Sequence, residues 1–467
     1  MQMTEIRIQK SECKKGFHTF FCFLISAFLI SASCSEAFAV PLIRDAEIEY
    51  TLRRYADPIF KVDGLKPSAV HLFIVEDDSI NSYVAGGPNM FIHTGLIMQC
   101  PTPDMVIGVM AHEAGHIVGG HLAQGSEKIR GAELGSILTF ILGAAAGVAS
   151  RNAGAAAGVI TGGQSMVGRN FLAFTRAHEE AADQSALGAL DKLNISASGL
   201  LKVFELLRRH EREHSGSPDP YMLTHPLTAI RIEHVRDHVE HSKIPEGQYP
   251  HEFDLPHQRM IAKLYGFLES PERTLTQYPQ SNKSVPARMA RAIAYYKMPD
   301  LDRSLAEMNS LIAESPNDPF FHELKGQILF ENNHPKEALT SYQMAVKNLP
   351  DSPLLLSDLA KVELAQNDSA LLPSAVSHLE KSNSFDNSNP STWRLLGTAY
   401  GKENNVAMSS LALAEEAILE DDPKMALRQI EQALPLLAEG SPARQRAQDI
   451  KARALDMKRE EKEEGQG

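Results

Sequence analysis

Two proline-led turns, "PNDP" from Pro316 and "PDSP" from Pro350, open stretches of helical character 34 residues apart. Between them Gly326, Ala338, Tyr342 and Ala345 hold small and aromatic positions at helical spacing, and Pro350 stops the second helix. One period earlier Ala292, Tyr295, Met308, Leu311 and Pro316 follow the same order more weakly. Further on, "WRLLGTAY" from Trp393 to Tyr400 and then Ala414, Ala426, Ile430 and Ala433 continue it. A single helix pair of this length cannot bury its apolar face, so roughly four such pairs must stack. Residues 285–442 are therefore expected to form an α-solenoid, and 443–467 reads as a charged C-terminal tail.

The other end of the chain has a different character. Lys10, Lys14 and Lys15 precede the apolar run "TFFCFLISAFLISA", and Ala37 and Ala39 follow as an A-x-A cleavage site, so residues 1–39 read as a secretory signal peptide. The run has 14 residues, short of the roughly 20 that span a bilayer. Cys34 offers a lipoprotein alternative, against which "ISAS" places Ser where such signals carry Leu. Three of the four cysteines lie in this leader, so the exported chain keeps Cys100 alone and has no internal disulfide. With 46 basic against 59 acidic residues, the balance excludes a nucleic-acid partner.

Residues 40–270 are expected to be a second, mainly α domain with a small β-sheet. Leu42 to Phe60 has helical periodicity, and "AVHLFIVED" and "NMFIHTGLI" read as strands on either side of the turn-rich "AGGP". Thr102-Pro103-Asp104 begins a helix predicted to run to about Gln124, and another spans about Asn170 to Leu193. Between these helices the Gly/Ala-rich segment 134–168 reads as a packed hairpin of small residues. Its other reading is a flap in peripheral contact with a membrane.

Within the first of these helices lies "MAHEAGHIVGGH", Met110 to His121. His112 and His116 stand one helical turn apart and face the same way, so both imidazoles can reach one zinc ion, and Glu113 beside them can take a proton from water. One ion per chain is expected. His121 sits nine residues after His112, half a turn out of phase on a continuous helix, and is assigned a polar contact on the far face. The third ligand must come from elsewhere. "FTRAHEEAADQSA" offers Glu179 and Asp183 four apart on one helix face, one to bind the ion and the other to hold a histidine ring, with Glu180 the competing ligand.

"HEAGHIVGGH", "TRAHEEAAD" and "THPLTAIRI", in that order and spacing, resemble the HtpX/BepA group of zinc metallopeptidases. The leader and the repeats, whose period is that of tetratricopeptides, narrow the resemblance to its periplasmic, beta-barrel assembly-enhancing members. The resemblance implies a zincin-type peptidase fold with His112, His116 and Glu179 as zinc ligands, Glu113 as general base and Asp183 as orienter. It assigns His225 either to the transition-state oxyanion or to the open position of the zinc at rest. Arg231 matches the arginine of the same motif and is expected to bind substrate, as are Gly86, Gly87 and Asn89 of "AGGPNMFIHTG", which is similar to a substrate-binding edge strand. The implied activity is endoproteolysis in the periplasm, in quality control and assembly of outer-membrane proteins. Misfolded or unassembled outer-membrane proteins would be the substrates, and the repeats would recruit them or the outer-membrane assembly machinery. The alternative is a chaperone or scaffold whose peptidase is normally shut.

Overall fold

The computed structural model describes residues 41–121, 166–213 and 225–464. The expected signal peptide, Cys34 and nearly all of the Gly/Ala-rich segment 134–168 lie outside them. Among the described residues no helix is long and apolar enough to cross a membrane.

The chain enters as β1 (Leu42–Ile43), and Asp45 then caps α1 (Ala46–Val62) by accepting from the Ile48 N–H. Glu47 and Glu49 occupy the first turn, where the positive end of the helix dipole favours acids. Three more strands follow, β2 (His71–Val75), β3 (Ser82–Ala85) and β4 (Asn89–His93). The sheet order is β1-β2-β4-β3, with β2 and β4 parallel and the other pairs antiparallel. One face of this sheet, with Ile74, Val84, Met90 and Ile92, is buried against α1 and the helices that follow.

Two local expectations change here. "SYVA" is a strand of its own, and "TGLI", expected to prolong β4, belongs to the short helix α2 (Thr94–Gln99). The 77–79 loop forces that turn: Gly95 N–H donates to Asp77 O, and a Cβ on Gly95 would lie 2.1 Å from Asp78 O. A straight strand with a side chain there would run into this loop.

Helix α3 (Pro103–Val118) runs through the core with residues 103–115 all buried, and it ends well before the expected Gln124. Around it lie α4 (Met166–Lys192), α5 (Ser198–Glu213) and α6 (Ala229–His241), and then α7 (Asp254–Leu268) and α8 (Pro271–Gln277).

Beyond them come stacked helix pairs: α9 (Val285–Lys297) with α10 (Leu301–Glu314), α11 (Pro319–Glu331) with α12 (Pro335–Asn348), α13 (Pro353–Ala365) with α14 (Leu372–Phe385), and α15 (Pro390–Lys402) with α16 (Val406–Leu419). The architecture is thus mainly helical, a small four-stranded sheet followed by a solenoid. The 34-residue step has visible causes. Asp318 and Ser352 are helix caps followed by proline at the first helical position. Asn333 and Asn367 take the left-handed backbone, at φ 65° and 54°, that turns the chain between paired helices. Gly326 is a packing requirement, since a Cβ there would meet the Tyr342 ring of the partner helix at 2.8 Å.

The C-terminal residues correct the reading of 443–467 as a tail. After α17 (Pro423–Ala433) they form α18 (Pro442–Glu464), which buries Ala447, Ile450 and Ala454 against Leu411, Ala414 and Ile430. Those three small or branched residues recur at helical spacing within a very charged sequence, so α18 closes the end of the stack.

The segment 278–286, between the two domains, is held in place by side-chain bonds. Arg291, 1% exposed, donates to the carbonyls of Pro279 (3.0 Å) and Asn282 (2.7 Å). Beyond it a buried charge network joins α1 and α7 to the first repeats. Lys263 Nζ lies 2.8 Å from Asp45, 3.0 Å from Glu323 and 3.7 Å from Glu47, while Arg259 pairs with Glu47 and Asp318 at 2.6 Å each. The start of α1 reaches further along the solenoid. Ala46 packs with Phe320, Ala345 and Leu355, and Arg44 pairs with Asp386 at 2.7 Å.

Candidate metal centre

The site is built where α3 and α4 cross at very close range. Gly115, inside "HEAGH", makes that possible: a Cβ there would stand 2.8 Å from Ala182 O. The same approach brings Glu179 and Asp183, which flank Ala182 on α4, up to the histidine face of α3. Gly108 does likewise for α5, where a Cβ would meet Leu200 N at 2.8 Å.

His112, His116, Glu179 and His225 each turn one ligand atom into a common space, and these atoms all lie within 4.8 Å of one another. His112 Nε2 is 3.2 Å from His116 Nε2, 3.4 Å from His225 Nδ1 and 3.3 Å from Glu179 Oε2. The Glu179 carboxylate also meets His116 at 3.4 Å and His225 at 3.2 Å. Nitrogens that face one another at this range cannot all present lone pairs unless a proton or a cation lies among them. Three imidazoles and one carboxylate suit a metal ion of borderline softness.

The surrounding groups fix the donors. Asp183 Oδ1 lies 2.9 Å from His112 Nδ1, which leaves Nε2 as the ligand atom. Arg231 grips Asp183 through Nε at 2.7 Å and Nη2 at 2.8 Å, and reaches Glu179 Oε2 through Nη1 at 2.8 Å. The electrostatics follow this frame. Burial works against ionisation of Glu179, but the charge of His225 and bonds from His112, His116 and His225 hold its carboxyl well below the usual range. Burial also opposes a charged His112, yet Asp183 and Glu179 raise it to about 9, whereas burial lowers His116 to about 3.

Glu113 behaves differently. It is 0% exposed, and neither carboxylate oxygen has a hydrogen-bond partner among the described residues. His225 Nε2 stands 3.6 Å from Oε1, and burial pushes the Glu113 carboxyl upward. A buried carboxylate left without partners costs on the order of 1–3 kcal/mol, which marks a site where a water or substrate group completes the bonding.

The remaining expected site residues fall elsewhere. Glu180, the competing ligand, points outward and is exposed. Arg231 was expected to bind substrate, but its guanidinium is 1% exposed and serves the two carboxylates. Gly86 and Gly87, at φ 62° and 103°, form the β3–β4 turn, where Asn89 Nδ2 donates to Gly86 O at 2.9 Å. Asn89 opens β4, which is paired on both sides, so among the described residues the sheet edge on this side is Ser82–Ala85, the other edge strand being β1.

His121 was misplaced by assuming a continuous helix. Helix α3 stops at Val118, Gly120 reverses the chain at φ 59°, and His121 folds back to place Nδ1 3.0 Å from His116 Nδ1. The adjacent glycines of "VGGH" were the signal that a helix end precedes this histidine.

Residues 43–239 match the profile of Peptidase family M48. The chain is 26% identical over 391 residues to the putative beta-barrel assembly-enhancing protease of Vibrio cholerae, covering 80% of this chain and 77% of that one. It is 24% identical over 415 residues to the beta-barrel assembly-enhancing protease of Escherichia coli K12, covering 86% and 80%. The metalloprotease LoiP of the same organism is 25% identical over 214 residues, 45% of this chain and 79% of its own. Among solved structures, the tetratricopeptide-repeat protein YrrB aligns with 38% of this chain and 91% of its own at 17% identity and a TM-score of 0.31.

Proposed function

From the match of residues 43–239 to Peptidase family M48, we propose that the chain is a zinc-dependent endopeptidase of the periplasm acting in quality control and assembly of outer-membrane proteins. His112, His116 and Glu179 are the ligands in this reading. Zinc, when bound, supplies the Lewis acidity that polarises a peptide carbonyl and acidifies water. Glu113 accepts the proton of the attacking water and returns it to the leaving amine, a task suited to a carboxyl whose proton affinity is raised by burial. Asp183 holds the His112 tautomer, and Arg231 holds Asp183 and Glu179 in register. Substrate would add along the free edge of β3, a mode that reads backbone more than side chain.

The observation that carries the reading is Glu113: both oxygens are buried without a hydrogen-bond partner among the described residues, beside four converging donors. A scaffold would gain nothing from such a group. His225 adds a second feature, because its Nδ1 stands in the cluster as a fourth donor. That arrangement supports a resting form shut by its own histidine, so the peptidase and the largely inactive scaffold are two states of one protein. The repeats would recruit clients or the assembly machinery, as the names of the relatives suggest.

The test is Glu113→Gln. The variant is expected to keep one zinc per chain by elemental analysis and to lose casein cleavage by a factor on the order of 100 or more. Cleavage at the wild-type rate would remove Glu113 from the chemistry, and loss of the metal would make it a ligand instead.

A further inference from the structure

We propose that His121 is a positioning residue of the metal centre, which fixes the ring orientation and tautomer of His116. A histidine that ligates through Nε2 carries its proton on Nδ1, and that N–H needs an acceptor. For His112 the partner is Asp183, at 2.9 Å. Among the described residues His116 meets no carboxylate on that side; its Nδ1 faces His121 Nδ1 at 3.0 Å. His121 accepts there, so its own proton sits on Nε2 and the ring is neutral. A neutral acceptor orients His116 without adding a third negative charge beside Glu179 and Asp183.

Three independent features hold His121 in this place. Gly120, at φ 59°, provides the reversed backbone that ends α3 and returns the chain. Gly119 leaves room for the ring, since a Cβ on it would lie 2.2 Å from His121 Nε2. On the other side the ring stacks on His178, with centroids 4.2 Å apart and planes inclined by 5°. His178 precedes Glu179 on α4, so the helix that supplies the carboxylate ligand also supplies the platform for the residue that aims His116. The pair "GG" and the histidine after it therefore act together: a larger residue at 119 would push the acceptor away as surely as its removal.

The inference rests on the zinc reading, and its test separates the two. Full-length wild type, His121→Ala, His121→Asn and Gly119→Ala would be compared for zinc affinity by competition with a chromogenic chelator, and for the melting temperature of the metal-free form. His121→Ala is expected to bind zinc about 10- to 100-fold more weakly, the usual effect of losing such a partner, with the metal-free melting temperature unchanged. His121→Asn, whose amide oxygen can accept at nearly the same point, should recover most of the affinity. Gly119→Ala should weaken binding as His121→Ala does although it alters no polar group. Wild-type affinity in His121→Ala, no rescue by Asn, or a fall in metal-free stability that parallels the affinity would each overturn the positioning role. A wild-type chain that takes up no zinc would instead remove the metal-centre reading itself.

Discussion

Lys263→Met should destabilise the protein by about 3–5 kcal/mol at pH 7.5, the range for stripping one partner from a buried ion network. The substitution keeps an unbranched side chain, one atom shorter, and removes the charge from among Asp45, Glu47 and Glu323. Lys263 is 0% exposed, so water cannot replace it. Burial already raises Glu323 to about 8 with the lysine in place. Without it a further carboxyl must take up a proton for the fold to persist. An ordinary carboxyl has a pKa near 4, and each pH unit above that costs about 1.4 kcal/mol, which gives about 4–5 kcal/mol at pH 7.5 and about 1 at pH 5. The sign is that of a folded pKa raised above the unfolded one. The variant therefore matches wild type in acid and loses stability as the pH rises towards neutrality. Urea unfolding followed by circular dichroism at pH 5 and 7.5, in the Glu113→Gln background to prevent autolysis, measures this. Lys381→Met, which removes an exposed pair with Asp351, is the control and should change stability by less than about 1 kcal/mol. A loss from Lys263→Met below 1 kcal/mol, or one equal at the two pH values, would refute the reasoning.

If His225 closes the centre at rest, His225→Ala should raise casein cleavage by about tenfold, the gain when a shut form holding nine-tenths of the molecules is abolished; a depressed rate would return this histidine to the transition state. A chain cut after Ser284 should be aggregation-prone by size-exclusion chromatography, because Arg259 and Lys263 lose Asp318 and Glu323. A monodisperse, folded 40–284 fragment would show that this interface is dispensable.

What the sequence reveals about the site is what local spacing determines. His112 and His116, and Glu179 and Asp183, are each separated by one helical turn, so the two halves of the centre are legible from helix geometry alone. His121 is not legible that way, because its position depends on where the helix stops. The 34-residue period is equally local, carried by caps, turns and the Gly326–Tyr342 contact. α18 was hidden by its charge, its burial signal being three residues in a polar stretch. Least readable is the network around Lys263. Its acids lie near residues 45 and 323, and nothing in either neighbourhood indicates that a lysine between them in sequence will bring them together in space.

The bond between Arg44 and Asp386 joins residues 342 positions apart, and this separation has a kinetic consequence. The first helix of the peptidase is made early, yet its opening turn has no finished surroundings until the chain beyond residue 386 has emerged. Contacts closed over such loops form late and slow folding. Since α1 packs on the core that holds α3, completion of the hydrolytic centre is tied to completion of the solenoid. A nascent or truncated chain would be slow to assemble that centre, which would be complete only once the solenoid is already in place.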